Sequence, residues 1–167
     1  ELNEEAYFKV ISHKTASLFV SCVAMGGYCT GADDESIEAM RRFAELFGLC
    51  FQIKDDIFDY FDSKAIGKPT GNDLREGKVT LPLLHALNST TGPESEAMKA
   101  LLRSGEPLSE EEIDSLIAFA RANGGIEYAY ATMQRLREEA AAILRCFDSP
   151  VTAHFLSLFD FIISREV

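Results

Sequence analysis

The sequence has no tryptophan, only 3 histidines and only 4 cysteines in 167 residues. His13, His85 and His154 form no HExxH pattern and no close pair, so a metal site built on histidine spacing is not expected. Cys22, Cys29, Cys50 and Cys146 form no CxxC pair and no zinc spacing, and they read as reduced, semi-buried residues of a reducing compartment. Basic residues are scarce: 16 Lys and Arg against 27 Asp and Glu, a net charge of −11. That argues against a nucleic-acid binder, whose footprint is a basic patch. No apolar run approaches the ~18 residues of a membrane-spanning helix. No signal-peptide pattern opens the chain. An initiator methionine is also missing, so Glu1 is expected to lie inside a longer protein.

What is present is the composition of a globular domain, 47 % hydrophobic and 26 % charged. A domain of this length buries on the order of 70 % of its unfolded surface. The pattern is helical nearly throughout, with no alternating β-type segment, internal repeat or low-complexity linker. Tyr7, Val10, Ile11, Leu18, Val20 and Val23 recur at helical spacing over residues 4–27. Gly26-Gly27 predicts the end of that helix, and Asp33 or Asp34 the cap of the next, which runs to about Tyr60. Residues 66–71 read as a loop. Asp73 is expected to cap a helix to about Leu87, kinked or broken at Pro82. A short helix over 94–103 follows. Ser109 and Glu112 make a capping box for a helix to about Ala122. Asn123-Gly124-Gly125 punctuates, a helix covers Ile126 to about Cys146, and Pro150 sits near the start of the last, to about Ser164. The fold class is all-α.

Charge is uneven along the chain. Residues 33–62 carry a net −6, and residues 63–103, with +2, form the only basic segment. Within the acidic segment stands Phe51-Gln52-Ile53-Lys54-Asp55-Asp56-Ile57-Phe58-Asp59. On a helix Asp55 and Asp59 share a face, extended by Gln52 and Asp62. Phe51, Ile53, Ile57, Phe58, Tyr60 and Phe61 cover most of the remaining circumference. Carboxylates lined up on an otherwise apolar helix face water, a cavity or a cation. As hard oxygen ligands without histidine or cysteine they suit Mg²⁺, which shares its remaining positions with water and substrate phosphates. The loop that follows supplies Lys68 and Lys78, with glycines that let a ligand approach the backbone. These lysines fit a diphosphate, or they neutralise the acidic helix before them. Lys14, in a neutral and largely apolar stretch, needs a partner: a phosphate or a neighbouring carboxylate.

Three blocks occur in order: Lys14-Thr15-Ala16; then Phe51-Gln52-x-x-Asp55-Asp56-x-x-Asp59; then Gly67-Lys68-Pro69-x-Gly71-x-Asp73-Leu74-x-Glu76-Gly77-Lys78-x-Thr80-Leu81-Pro82. Together they resemble the C-terminal half of a trans-type isoprenyl diphosphate synthase, of the polyprenyl synthetase family. The resemblance implies the C-terminal portion of a helical bundle around a deep cavity. It implies condensation of an allylic diphosphate with isopentenyl diphosphate, with Mg²⁺ as cofactor. Asp55, Asp56 and Asp59 match the second of the family's two aspartate-rich metal motifs, and Asp73 an acid that reaches a metal through water. Lys14 and Lys68 match lysines that hold the allylic diphosphate, and Lys78 a further lysine close to it. Thr15 and Gln52 match polar residues beside the reacting centre. A cytoplasmic homodimer is implied as well.

The first aspartate-rich motif, its following arginines and the isopentenyl diphosphate site are not in these residues, and the family's chains are about twice as long. Residues 1–167 are therefore expected to be part of one synthetase domain, inactive alone. Two other readings stay open: a non-catalytic regulatory subunit of a heteromeric synthase, and a helical module that binds metal and diphosphate without catalysis.

Overall fold

A computed structural model of the chain describes residues 3–61 and 70–166. Among these, every regular element is helical. The elements are α1 (Glu4–Ile11), a π turn (Ser12–Ala16), α2 (Ser17–Thr30), α3 (Asp34–Phe58), α4 (Asn72–Arg75), α5 (Leu81–Ser89), α6 (Pro93–Arg103), α7 (Glu110–Ala122), α8 (Gly125–Leu144) and α9 (Val151–Ser164). No helix among the described residues is long and apolar enough to cross a membrane. The chain forms two compact units. One holds Asp55–Tyr130 with the chain up to Tyr7; the other holds Phe8–Lys54 and Ala131–Glu166.

In the unit of Asp55–Tyr130, α5 packs on α7 and α6 on α5. Helix α5 is apolar nearly all round, and Leu81, Pro82, Leu83, Leu84, Ala86 and Leu87 are buried. Helix α7 buries Ile113, Leu116, Ile117 and Ala120, one face at helical spacing. The expected capping box starts α7: Ser109 accepts from the Glu112 amide, and the Glu112 carboxylate accepts from the Ser109 amide. Tyr60 and Leu74 close the same core. The start of α8 abuts α5 so closely that a Cβ on Gly125 would lie 2.2 Å from the Pro82 carbonyl oxygen. Asp73 is not a helix cap: it lies inside α4, and Gly71, at φ 76°, holds the cap position. Pro82 does not kink a helix. It stands in the first turn of α5, where its missing N–H costs nothing.

In the unit of Phe8–Lys54 and Ala131–Glu166, the core is aromatic. Phe43 meets Phe155 and Phe159 edge-on at 5.3 and 5.6 Å, and Phe47 meets Phe159 at 5.2 Å and Phe19 at 5.2 Å. Edge-to-face pairs add about 0.5–1.5 kcal/mol each beyond their area. Helix α2 runs past Gly26-Gly27 and stops at Gly31, whose φ is 69°. Gly27 lies within the helix, where Ile37 fills the space a side chain would need. Val10 and Leu18, expected inside, are 60 % and 66 % exposed. Of the cysteines only Cys50 is buried; Cys22, Cys29 and Cys146 are exposed. The expected semi-burial of all of them is corrected accordingly.

Candidate functional site

Asp55 and Asp56 lie in the last turn of α3 and Asp59 directly after it, and the three have different surroundings. Asp55 is exposed. Asp56 is 5 % exposed and accepts a hydrogen bond of 2.6 Å from the Tyr7 hydroxyl. Burial first, then the charge of Asp56, pushes the Tyr7 phenol well above its ordinary range. Asp59 is half-buried. Its Oδ1 accepts the Asn72 amide and its Oδ2 the Asp73 amide, both at 2.9 Å. The Gly71 amide donates to the Asp59 carbonyl at 2.9 Å. A carboxylate at the first amides of a helix satisfies donors that have no partner within it. Asp59 thus ties the end of α3 to the Gly71-Asn72-Asp73 segment. Gly71 allows this by its positive φ and by its contact with Ile113, 2.4 Å from where a Cβ would stand.

The same segment carries two cations. Lys78 pairs with Glu76 and lies 4.0 Å from the Asp73 carboxylate. The hydrogen bond that Lys78 donates to Glu76 raises the lysine's pKa. Arg75 grips Glu110 with two donors and also reaches the Thr70 carbonyl. Behind them the Tyr60 hydroxyl and Thr80 share a buried hydrogen bond of 2.9 Å, and burial raises the Tyr60 phenol.

In the other unit, Thr15 Oγ1 donates to Gln52 Oε1 at 2.6 Å. Thr15 lies on the π turn, where the Ser17 amide reaches back to the Ser12 carbonyl. Such turns recur at functional sites. The turn packs against α3 with little clearance: a Cβ on Gly48 would come 2.5 Å from Ala16 Cα. Lys14 is exposed, so the partner expected for an interior lysine is not required. Among the described lysines Lys54 is the buried one, 2 % exposed, and it donates to the Ile163 carbonyl at 2.9 Å. Lys68 and Asp62 lie outside the described residues.

Asp59, Asp73 and Lys78 are therefore brought onto one segment, as are Thr15 and Gln52 onto a direct hydrogen bond. Tyr7 and Arg75 escape sequence reasoning, since their partners lie 49 and 35 residues away. Among the described residues no three of His, Cys, Asp or Glu converge on a common point. Mg²⁺ does not need such a cage, because one or two carboxylates suffice when phosphates and water complete the shell. The hard, all-oxygen donors Asp55 and Asp59 fit that requirement.

The chain belongs to the polyprenyl synthetase family, whose model matches residues 1–120. It is similar to nonaprenyl diphosphate synthase of Mycobacterium tuberculosis, 35 % identical over 97 % of this chain and 48 % of that protein. Octaprenyl diphosphate synthase of Escherichia coli is 31 % identical over 99 % of this chain and 51 % of its own length. The chain thus spans about half the length of the curated relatives it matches. Among solved structures, geranylgeranyl pyrophosphate synthase from Bacteroides thetaiotaomicron superposes with a TM-score of 0.88 at 41 % identity, over 98 % of this chain and 53 % of that one. Polyprenyl synthase from Caulobacter crescentus, complexed with calcium and isoprenyl diphosphate, gives 0.85 at 31 % identity, over 100 % and 52 %. The all-α fold is that of the C-terminal half of these synthases.

Proposed function

We propose that the protein containing this chain is a prenyltransferase. It condenses an allylic diphosphate with isopentenyl diphosphate into a longer trans-polyprenyl diphosphate. The observation that carries this reading is the joining of Asp59 to the amides of Asn72 and Asp73. It sets the aspartate string beside the Asp73–Lys78 segment, acids for a cation next to a cation for a phosphate. Mg²⁺, when bound, supplies Lewis-acid neutralisation of the leaving diphosphate. In this reading Asp55, Asp59 and Asp73 hold it, directly or through water.

Lys14, Lys68 and Lys78 bind the diphosphate, and Lys78 exchanges Glu76 for it. Thr15 and Gln52 present a fixed dipole to the developing cation: the hydrogen bond consumes the Thr15 proton and leaves lone pairs on both oxygens. The protein acts as a cytoplasmic homodimer on small-molecule substrates.

The test is incubation of the full-length gene product with labelled isopentenyl diphosphate, an allylic diphosphate series and Mg²⁺. Chain elongation that stops on chelation is the expected result. Diphosphate binding without transfer, under every allylic primer, overturns catalysis and leaves a binding module.

A further inference from the structure

Asp56 belongs to the aspartate string by sequence, yet it does not share the exposed row. Successive helical residues turn by about 100°, so Asp59 lies about 40° from Asp55, and Asp56 about 100° away. That rotation carries the Asp56 carboxylate inward, to 5 % exposure, onto the hydroxyl of a tyrosine that is itself only 8 % exposed. The contact joins residues 49 apart, so it fixes the roll of the last turns of α3 against α1. Asp59, whose angle falls between those of Asp55 and Asp56, is held by two amides. Asp55 stands beside these two pinned carboxylates and faces outward. Packing alone does not explain Tyr7, because phenylalanine would fill the same space without the hydroxyl.

We propose that Tyr7 is a positioning residue for the metal site: it holds Asp56 inside the fold, so that Asp56 serves as an anchor and Asp55 and Asp59 meet the cation. This rests on the functional reading above.

Mn²⁺ binding, followed by the electron paramagnetic resonance of the free ion with inorganic pyrophosphate present, tests it in the full-length gene product. Tyr7→Phe is expected to weaken Mn²⁺ about tenfold, the usual order for loss of a group that orients a ligand. Asp56→Asn keeps an acceptor for Tyr7 and is expected to stay within about threefold of the parent, while Asp55→Asn loses binding. A folded Tyr7→Phe protein with parental Mn²⁺ affinity, whatever its melting temperature, overturns the inference. So does an Asp56→Asn loss as large as that of Asp55→Asn, a comparison that decides the matter even if Tyr7→Phe does not fold. Absence of Mn²⁺ binding by the parent protein overturns the functional reading and the inference together.

Discussion

A carboxylate that accepts two amides and one that faces solvent serve different ends, though both are spelled aspartate. Asp55→Ala and Asp59→Ala are expected to lower the turnover of the full-length protein by at least a hundredfold, the scale of losing electrostatic stabilisation at a developing charge. Asp34→Ala, in the first turn of α3, is expected to leave turnover unchanged. The cap of α3 is Asp33, whose carboxylate accepts from the Ser36 amide at 2.8 Å. That amide, then the Ser36 hydroxyl, holds Asp33 below the ordinary carboxylate range. Its stabilisation is therefore complete above that range and disappears as pH falls through the lowered value, so Asp33→Ala should flatten the acid limb of a melting-temperature profile. Burial pushes the Cys50 thiol up to about 12. At pH 8 roughly one part in ten thousand is thiolate, and Cys50 should resist alkylation until denaturant is added. The acids and lysines of the candidate site were legible as residue types in register. Their individual surroundings were not, because Tyr7 and the Asn72 and Asp73 amides reach the string through tertiary folding.

Elements were legible where local chemistry sets them. The Ser109–Glu112 box starts α7 as its spacing predicts, and Ser109→Ala should cost about 1 kcal/mol in an unfolding titration. The last helix also begins after Pro150 as expected. The missed boundaries have packing causes. The glycine at 27 inside α2 leaves room for Ile37 rather than ending the helix, and α5 begins afresh at Leu81 with its apolar surface buried. The Gly48 contact belongs to this class. Gly48→Ala would drive a methyl into Ala16 and should destabilise by about 1–3 kcal/mol, measurable as a lowered denaturation midpoint.

For the molecule as a whole, the all-α class and the family's motif order were visible in the sequence, while the distribution of its apolar surface was not. Val10, Leu18, Met25, Tyr28, Val151, Leu158 and Phe161 are large apolar residues at least 49 % exposed. All belong to the unit of Phe8–Lys54 and Ala131–Glu166. Where such residues are contiguous they mark surfaces that take a partner. Expressed alone, residues 1–167 should bind an environment-sensitive dye and sediment as a concentration-dependent mixture. The double change Leu18→Gln and Met25→Gln should reduce both signals, and unchanged dye binding would show that the surface lies elsewhere.

The turn at Ser12–Ala16 has a consequence for how this helix tolerates changes of length. A π turn holds one residue more than an α-helical path between the same ends, as a splice hides a spare link in a chain. Deleting one of these residues would convert the run to ordinary α-helix between the same ends, so Ile11, 3 % exposed, would keep its inward face. Adding or removing one residue within α1 or α2 would instead swing everything beyond it by about 100°. A single-codon deletion should therefore be tolerated inside the turn far more readily than in the helices on either side.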